Sequence, residues 1–350
     1  ANRLSAGIFS LTLCLSAALM FAIQPMAGKM LLPIVGGTPA GWIVAMAFFQ
    51  AMLLAGYLLA HIFSKFSPRM HAALYLCALA AGAWFLPIDI RQHAAGIGDA
   101  PGPWDIFQLL CAALAFPFIA LSATSSTIQR LFTTTGHASA HDPYFLYVAS
   151  NIGSFAGLLL YPFVLEPLFS LSEQAGFSTA AYAGLFLGGA LCLCISLAGK
   201  KPAAASAANT ASAGPARKLD IKRYAEWALL AFVPSSLLLG VTIYITTDIM
   251  SAPMIWAVPL CLYLLTFIIA FSQRTYIKLE LLQKIYPALV FIAIACIGIF
   301  KFPWMTQWNG IIFYLGIFFV VALACHMRLA QLRPLEENSR NLTVFYLMMS

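Results

Sequence analysis

The chain has 350 residues, of which 62% are hydrophobic and 9% charged, with a net charge of +7 at pH 7. Soluble domains average roughly 45–50% apolar and 25% charged residues, so this composition, with a mean hydropathy of +0.88, excludes a water-soluble globular protein. A polytopic helical membrane protein is expected.

A helical span needs about 20 apolar residues to cross about 30 Å of hydrocarbon. Apolar runs of that kind lie near 6–30, 40–63, 70–88, 105–128, 144–169 and 177–198, then near 225–247, 253–272, 281–301 and 308–326. The last stretch, "NLTVFYLMMS" at 341–350, is half a span long. The first run is too long for a cleavable signal peptide and leads straight into further spans.

With the N-terminus inside, alternation of these spans puts 16 of the 19 Lys and Arg residues on one side, leaving Lys29, Arg91 and Lys301 on the other. The split is the positive-inside signature, and it predicts a multi-pass membrane protein with a cytoplasmic N-terminus. It also explains the net positive charge without a nucleic-acid partner. Trp42, Trp84, Trp104, Trp256, Trp304 and Trp308 fall at the outer ends of spans and Trp227 at an inner end, where amphipathic rings sit in the headgroup layer. The eight cysteines lie within apolar runs without metal-ligand spacing, so no disulfide, metal or cofactor is expected.

Span 1 ends unusually. "FAIQPMAGKMLLPIVGGTPAGW" (21–42) admits Gln24-Pro25 and Lys29 before a Gly/Pro loop. Lys29 is either an anchor snorkelling to the membrane surface or half of a working site. Further on, "GKKPAAASAANTASAGPARKLDIKR" (199–223) has the composition of a flexible cytoplasmic linker. It separates a six-span half, 1–198, from a second half, 224–350. The halves carry matching marks. Pro39-x-x-Trp42 and Pro253-x-x-Trp256 open spans 2 and 8; Arg130-Leu131 and Arg328-Leu329 close spans 4 and 10. "FLYVAS" (145–150) and "FYLMMS" (345–350) follow in equivalent places. A parallel six-plus-six repeat is the layout of major facilitator transporters. The fold expected is therefore all-α and major-facilitator-like, with about ten complete spans and a truncated eleventh. On that layout the natural protein is expected to run on past Ser350.

Three stretches, "FAIQPMAGKMLLPIVGGTPAGWIVAMAFFQAMLLAGYLLAH" (21–61), "PYFLYVASNIGSFAGLLLYPFVLEP" (143–167) and "VPSSLLLGVTIYITTDIMSAPMIWAVPLCLYLLTFIIAF" (233–271), resemble the membrane part of bacterial fused major-facilitator/spermidine-synthase-like proteins. The resemblance implies a transporter-like domain, commonly followed by a cytosolic domain similar to polyamine aminopropyltransferases. These 350 residues hold no Gly-rich nucleotide loop and no soluble fold with paired carboxylates. No enzyme activity is expected of the chain itself.

Polar residues inside hydrocarbon are costly and each needs a reason. Gln24 and Gln50 can join helices or line a cavity. Asn151 and Ser154 share a face of span 5, with Gly153 and Gly157 allowing close approach. The run Ser122, Thr124, Ser125, Ser126, Thr127 and Gln129 closes span 4, where hydroxyls can bond the preceding turn. His61, Lys65 and Arg69 recur at every fourth residue after span 2, as a basic inner cluster. Asp248, with Thr246 beside it, ends span 7, the counterpart of span 1. If those two spans face each other across a central cavity, Lys29 pairs with Asp248. The candidate substrate-binding set is thus Gln24, Lys29, Gln50, Asn151, Thr246 and Asp248. The functions open to such a chain are transport of a small, polyamine-like metabolite, or anchoring a larger membrane complex or a downstream soluble enzyme. Expected partners are the lipid bilayer, a small-molecule substrate and complex subunits.

Overall fold

The computed structural model describes residues 2–36, 39–94, 98, 101–137, 140, 145–198, 221–245, 257–272, 277–298, 307–333 and 339–349. Its helices are α1 (Asn2–Val35), α2 (Pro39–Phe63), α3 (Pro68–Ala83), α4 (Pro103–Ser122), α5 (Thr124–Phe132), α6 (Phe145–Leu160), α7 (Glu166–Leu168) and α8 (Leu171–Ala198). After the linker come α9 (Ile221–Tyr244), α10 (Ala257–Phe271), α11 (Leu279–Gly298), α12 (Gln307–Gln331) and α13 (Ser339–Met349). Eight described helical segments are long and apolar enough to cross a membrane, and α10 is a shorter apolar helix. With thirteen helices among the described residues, the chain is a multi-pass membrane protein.

Local chemistry sets the boundaries. Gly36 ends α1 with φ +63°, a left-handed conformation that glycine adopts freely. The Ser67 hydroxyl accepts from the Met70 N–H at 3.3 Å, and Pro68 occupies the first turn of α3, where its missing N–H costs nothing. At the start of α4, the Asp105 carboxylate accepts from the Gly102 N–H at 2.8 Å. The Glu173 carboxylate does the same for Ser170 ahead of α8, also at 2.8 Å.

Two spans differ from their sequence outlines. The span expected over 70–88 is a helix of 16 residues, about 24 Å long at 1.5 Å per residue, because the chain turns at Trp84 toward Pro87. The span expected over 105–128 breaks at Ala123 into α4 and α5. Ser122, Thr124, Ser126 and Thr127 all donate to carbonyls three or four residues back, the back-bonding that bends helices.

The described residues fall into two contact units. In the first, α1 to α8 are joined by α13 as far as Met348; the second holds α9 to α12. In the first unit α1 packs most extensively on α6. A Cβ at Gly153 would collide with the Cys14 carbonyl, and one at Gly157 with that of Ala18, so the two parallel helices meet backbone to backbone. In the second unit α9, α10 and α11 all pack on α12. Here α11 leaves Leu281, Ile285, Phe291, Ile292 and Ile294 exposed, an apolar face suited to lipid.

All eight cysteines are free. Only Cys192 and Cys296 are buried, while Cys77 and Cys194 are exposed on apolar helices. Trp84 and Trp104 are exposed at helix ends, as interfacial rings are. Trp227 departs from that expectation: it is fully buried, and its indole N–H donates to the Leu332 carbonyl at 3.1 Å. Burial removes it from the headgroup layer because the end of α12 supplies its one required acceptor.

Candidate functional site

Lys29 lies six residues before the end of α1 rather than beyond it, between Pro25 and Pro33. Each proline lacks the N–H that would bond the carbonyl four residues earlier. Across from it, α6 continues through a π-helical turn, Tyr161–Leu165, into Glu166. Such turns re-aim side chains and are common at functional sites. The Lys29 ammonium meets the Glu166 carboxylate at 3.1 Å. Both side chains are about one-third exposed, at 37% and 34%, so the pair is open to solvent screening.

Around that pair two buried polar atoms have no partner among the described residues, the Tyr161 hydroxyl and the Gln174 amide oxygen. The Gln174 amide nitrogen donates to the carbonyls of Leu165 at 3.1 Å and Phe169 at 2.8 Å, holding the chain on both sides of Glu166. A carboxylate, a cation, a phenol and an amide thus converge on one end of the first unit.

The sequence-derived candidates do not all gather there. Gln24 is half-buried and Gln50 exposed, and neither makes a hydrogen bond among the described residues. Asn151 is buried, and its amide donates to the Tyr147 carbonyl at 2.8 Å within the same helix. Thr246 and Asp248 lie outside the described residues. Among the described residues the partner of Lys29 is Glu166; the expected pairing with Asp248 lies outside them.

A second polar cluster occupies the other end of the same unit. His71 Nε2 is 2.9 Å from Thr127 Oγ1, and His71 Nδ1 is 2.8 Å from the Arg130 guanidinium. A guanidinium can only donate, so Nδ1 accepts and Nε2 carries the proton. That N–H points to Thr127, whose own hydroxyl donates to the Ala123 carbonyl at 2.8 Å. Beside it Tyr75 and Thr124 share a hydrogen bond of 2.8 Å. The hydroxyl run of span 4 is therefore both self-satisfied and tied to α3.

Arginines at this end close helix termini. Arg130 donates to the Phe66 carbonyl at 3.0 Å, just past α2, and Arg69 to the Ser196 carbonyl at 3.0 Å in the last turn of α8. In the second unit Arg223 donates to the Leu332 carbonyl at 3.3 Å, just past α12. Each guanidinium meets carbonyls left without intrahelical donors, at the negative end of a helix dipole. The helix α13 docks here too. Thr343 bonds His61 Nδ1 at 3.1 Å, the Tyr346 hydroxyl donates to the Gln129 amide oxygen, and the Tyr346 ring stacks on Tyr57.

The second unit has its own buried polar centre. Thr266 donates to the Tyr263 carbonyl at 2.6 Å and accepts from His326 Nδ1 at 2.8 Å. His326 Nε2 has no partner among the described residues, under the stacked ring of Phe267. Neither histidine was singled out from sequence. An ionisable residue inside an apolar run was the available signal, and it applied equally to Glu166 in "YPFVLEP".

No family model and no curated protein matches the sequence. Solved structures do match over nearly the whole chain. A double-tryptophan mutant of XylE aligns with a TM-score of 0.55 at 13% identity, covering 98% of this chain and 86% of that one. The major facilitator superfamily transporter FucP in its outward conformation aligns with a TM-score of 0.51 at 15% identity, covering 99% and 89%. A variant of the E. coli fucose:proton symporter FucP aligns with a TM-score of 0.50 at 16% identity, over the same shares. At these identities the likeness establishes the fold: an all-helical membrane fold of the major facilitator type.

Proposed function

We propose that the chain is a transporter-like membrane domain that moves a small metabolite. The observation that carries this reading is the alignment of 98–99% of the chain with major facilitator transporters. The finer reading, a member of the fused spermidine-synthase-like group acting on a polyamine-like cation, rests on the three resembling stretches in the sequence. Glu166 supplies a carboxylate for such a cation, with the Lys29 ammonium as its resident occupant.

One observation favours a second reading, a membrane anchor or accessory subunit. The Lys29 cation is taken by Glu166, and Gln24, Gln50 and Asn151 are not joined to one another among the described residues. Counterflow in proteoliposomes separates the two. Labelled spermidine and putrescine, with fucose as a control, should exchange in vesicles holding the chain, and Glu166→Gln should suppress polyamine exchange. Exchange of fucose alone removes the polyamine reading. No exchange of any of the three, with the protein correctly inserted, favours the anchor.

A further inference from the structure

The Lys29–Glu166 contact engages one ammonium N–H and Glu166 Oε1. The other N–H groups of Lys29, and Glu166 Oε2, have no hydrogen-bond partner among the described residues. Both side chains are partly exposed, so the pair forms an open front. The back is closed. Tyr161 and Gln174 are 1% and 2% exposed, and the Tyr161 hydroxyl and Gln174 Oε1 have no partner among the described residues. Tyr161 lies within electrostatic reach of the Glu166 carboxylate. Gln174 is held by carbonyls on either side of Glu166. Because α8 runs antiparallel to α1, with Gly188 against Thr12 and Ser178 against Met26, Gln174 also lies level with the turn that holds Lys29. A buried hydroxyl and a buried amide oxygen left unpaired are costly, and their joint presence beside a charged pair marks a binding site.

The two protein charges select the ligand. A ligand with only an ammonium can take Glu166, but it leaves the Lys29 ammonium beside a second cation. A ligand with only a carboxylate reverses the fault and leaves Glu166 beside a second anion. A neutral polyol adds hydrogen bonds but no charge to match either. A ligand carrying both charges sets each protein charge against its opposite. The Lys29 and Glu166 charges are only 3.1 Å apart. The ligand's two charges must therefore be borne by neighbouring atoms, as they are around the single carbon of an α-amino acid.

We propose that this site binds an α-amino acid. The ligand's ammonium donates to Glu166 Oε2 and Gln174 Oε1, and its carboxylate accepts from the Lys29 ammonium and the Tyr161 hydroxyl. Both buried orphans are then paired, and the net charge of the site is unchanged. The assignment rests on the reading of Glu166 as the carboxylate of the metabolite site, and adds to it the anion that Lys29 requires.

Equilibrium binding of labelled ornithine to the purified chain tests it, with norvaline, putrescine, valerate and fucose as competitors. Putrescine is ornithine without the carboxylate, so the two separate an amino acid from a bare polyamine. Norvaline, which keeps both charges on one carbon, should displace ornithine. Putrescine, valerate and fucose should not. Lys29→Gln should weaken ornithine binding by roughly tenfold, the scale of a lost charge-assisted hydrogen bond. The same change should strengthen putrescine binding, a gain that a misfolded protein would not show. Tyr161→Phe should weaken ornithine binding to a similar degree without lowering the unfolding temperature of the ligand-free chain, because the hydroxyl removed has no partner there to lose. Displacement by putrescine as strong as by norvaline overturns the proposal and leaves the polyamine reading standing. Displacement by fucose as strong as by norvaline makes the ligand a polyol and overturns it too. Failure of ornithine to bind, or unchanged ornithine binding in both variants, has the same consequence.

Discussion

Lys29 and Arg130 show how burial, rather than charge, decides what a residue contributes. The Lys29–Glu166 pair is about one-third exposed on each side, so its net worth is about 0–1 kcal/mol. Lys29→Met and Glu166→Gln should each change unfolding free energy in detergent by no more than that, and a double-mutant cycle should give a coupling of the same size. A coupling several times larger would mean that the pair is shielded in the membrane. Arg130 is different. It is buried, and its guanidinium serves both His71 Nδ1 and the Phe66 carbonyl. Lysine cannot present the same planar fork. Arg130→Lys should leave at least one buried acceptor unpaired and cost about 1–3 kcal/mol. Thermal unfolding of the two variants side by side checks the order: Arg130→Lys falls further than Lys29→Met.

Among the helices, the α1–α6 contact is the tightest constraint. Gly153 and Gly157 place the α6 backbone against the carbonyls of Cys14 and Ala18, leaving no room for a side chain. Gly157→Leu should destabilise the protein by at least the roughly 1–3 kcal/mol of an overpacked core. Gly176→Leu, where nothing lies within reach of a Cβ, should be near neutral and serves as the control. At the opposite extreme is α13, a short helix tied to the first unit by a few side chains. His61 and Thr343 are 3.1 Å apart at their polar atoms. In a background without the native cysteines, His61→Cys combined with Thr343→Cys should crosslink under mild oxidation. Cleavage in the linker should then leave the two fragments joined; their separation would show that α13 does not rest there.

For the whole molecule, the charge asymmetry makes a prediction about topology. A single cysteine replacing Ser206, in the linker and again in a cysteine-free background, should react with an impermeant maleimide only after lysis. Reaction in intact cells would invert the orientation. The arginines give the asymmetry a structural side. Arg69 and Arg130 in the first unit and Arg223 in the second each cap the carboxyl end of a neighbouring helix, so cations counted in the asymmetry also close helix ends within their own units.

The sequence by itself determined the class of protein, the position of most spans and the fold type, because apolar runs of membrane length and repeated marks are local properties of the chain. It also determined that Gly153 and Gly157 would bring helices close, since small residues four apart make one bare stripe on a helix. It did not determine who meets whom. Lys29 and Glu166 are 137 residues apart, and His71 and Arg130 are 59 apart. Nothing in the local pattern ranks Glu166 above another acid as the partner of Lys29. The break at Ala123, the π turn before Glu166 and the burial of Trp227 likewise depend on neighbours from distant segments. Hydrophobicity is a property each residue carries with it; pairing is set by packing, and only the tertiary structure decides that.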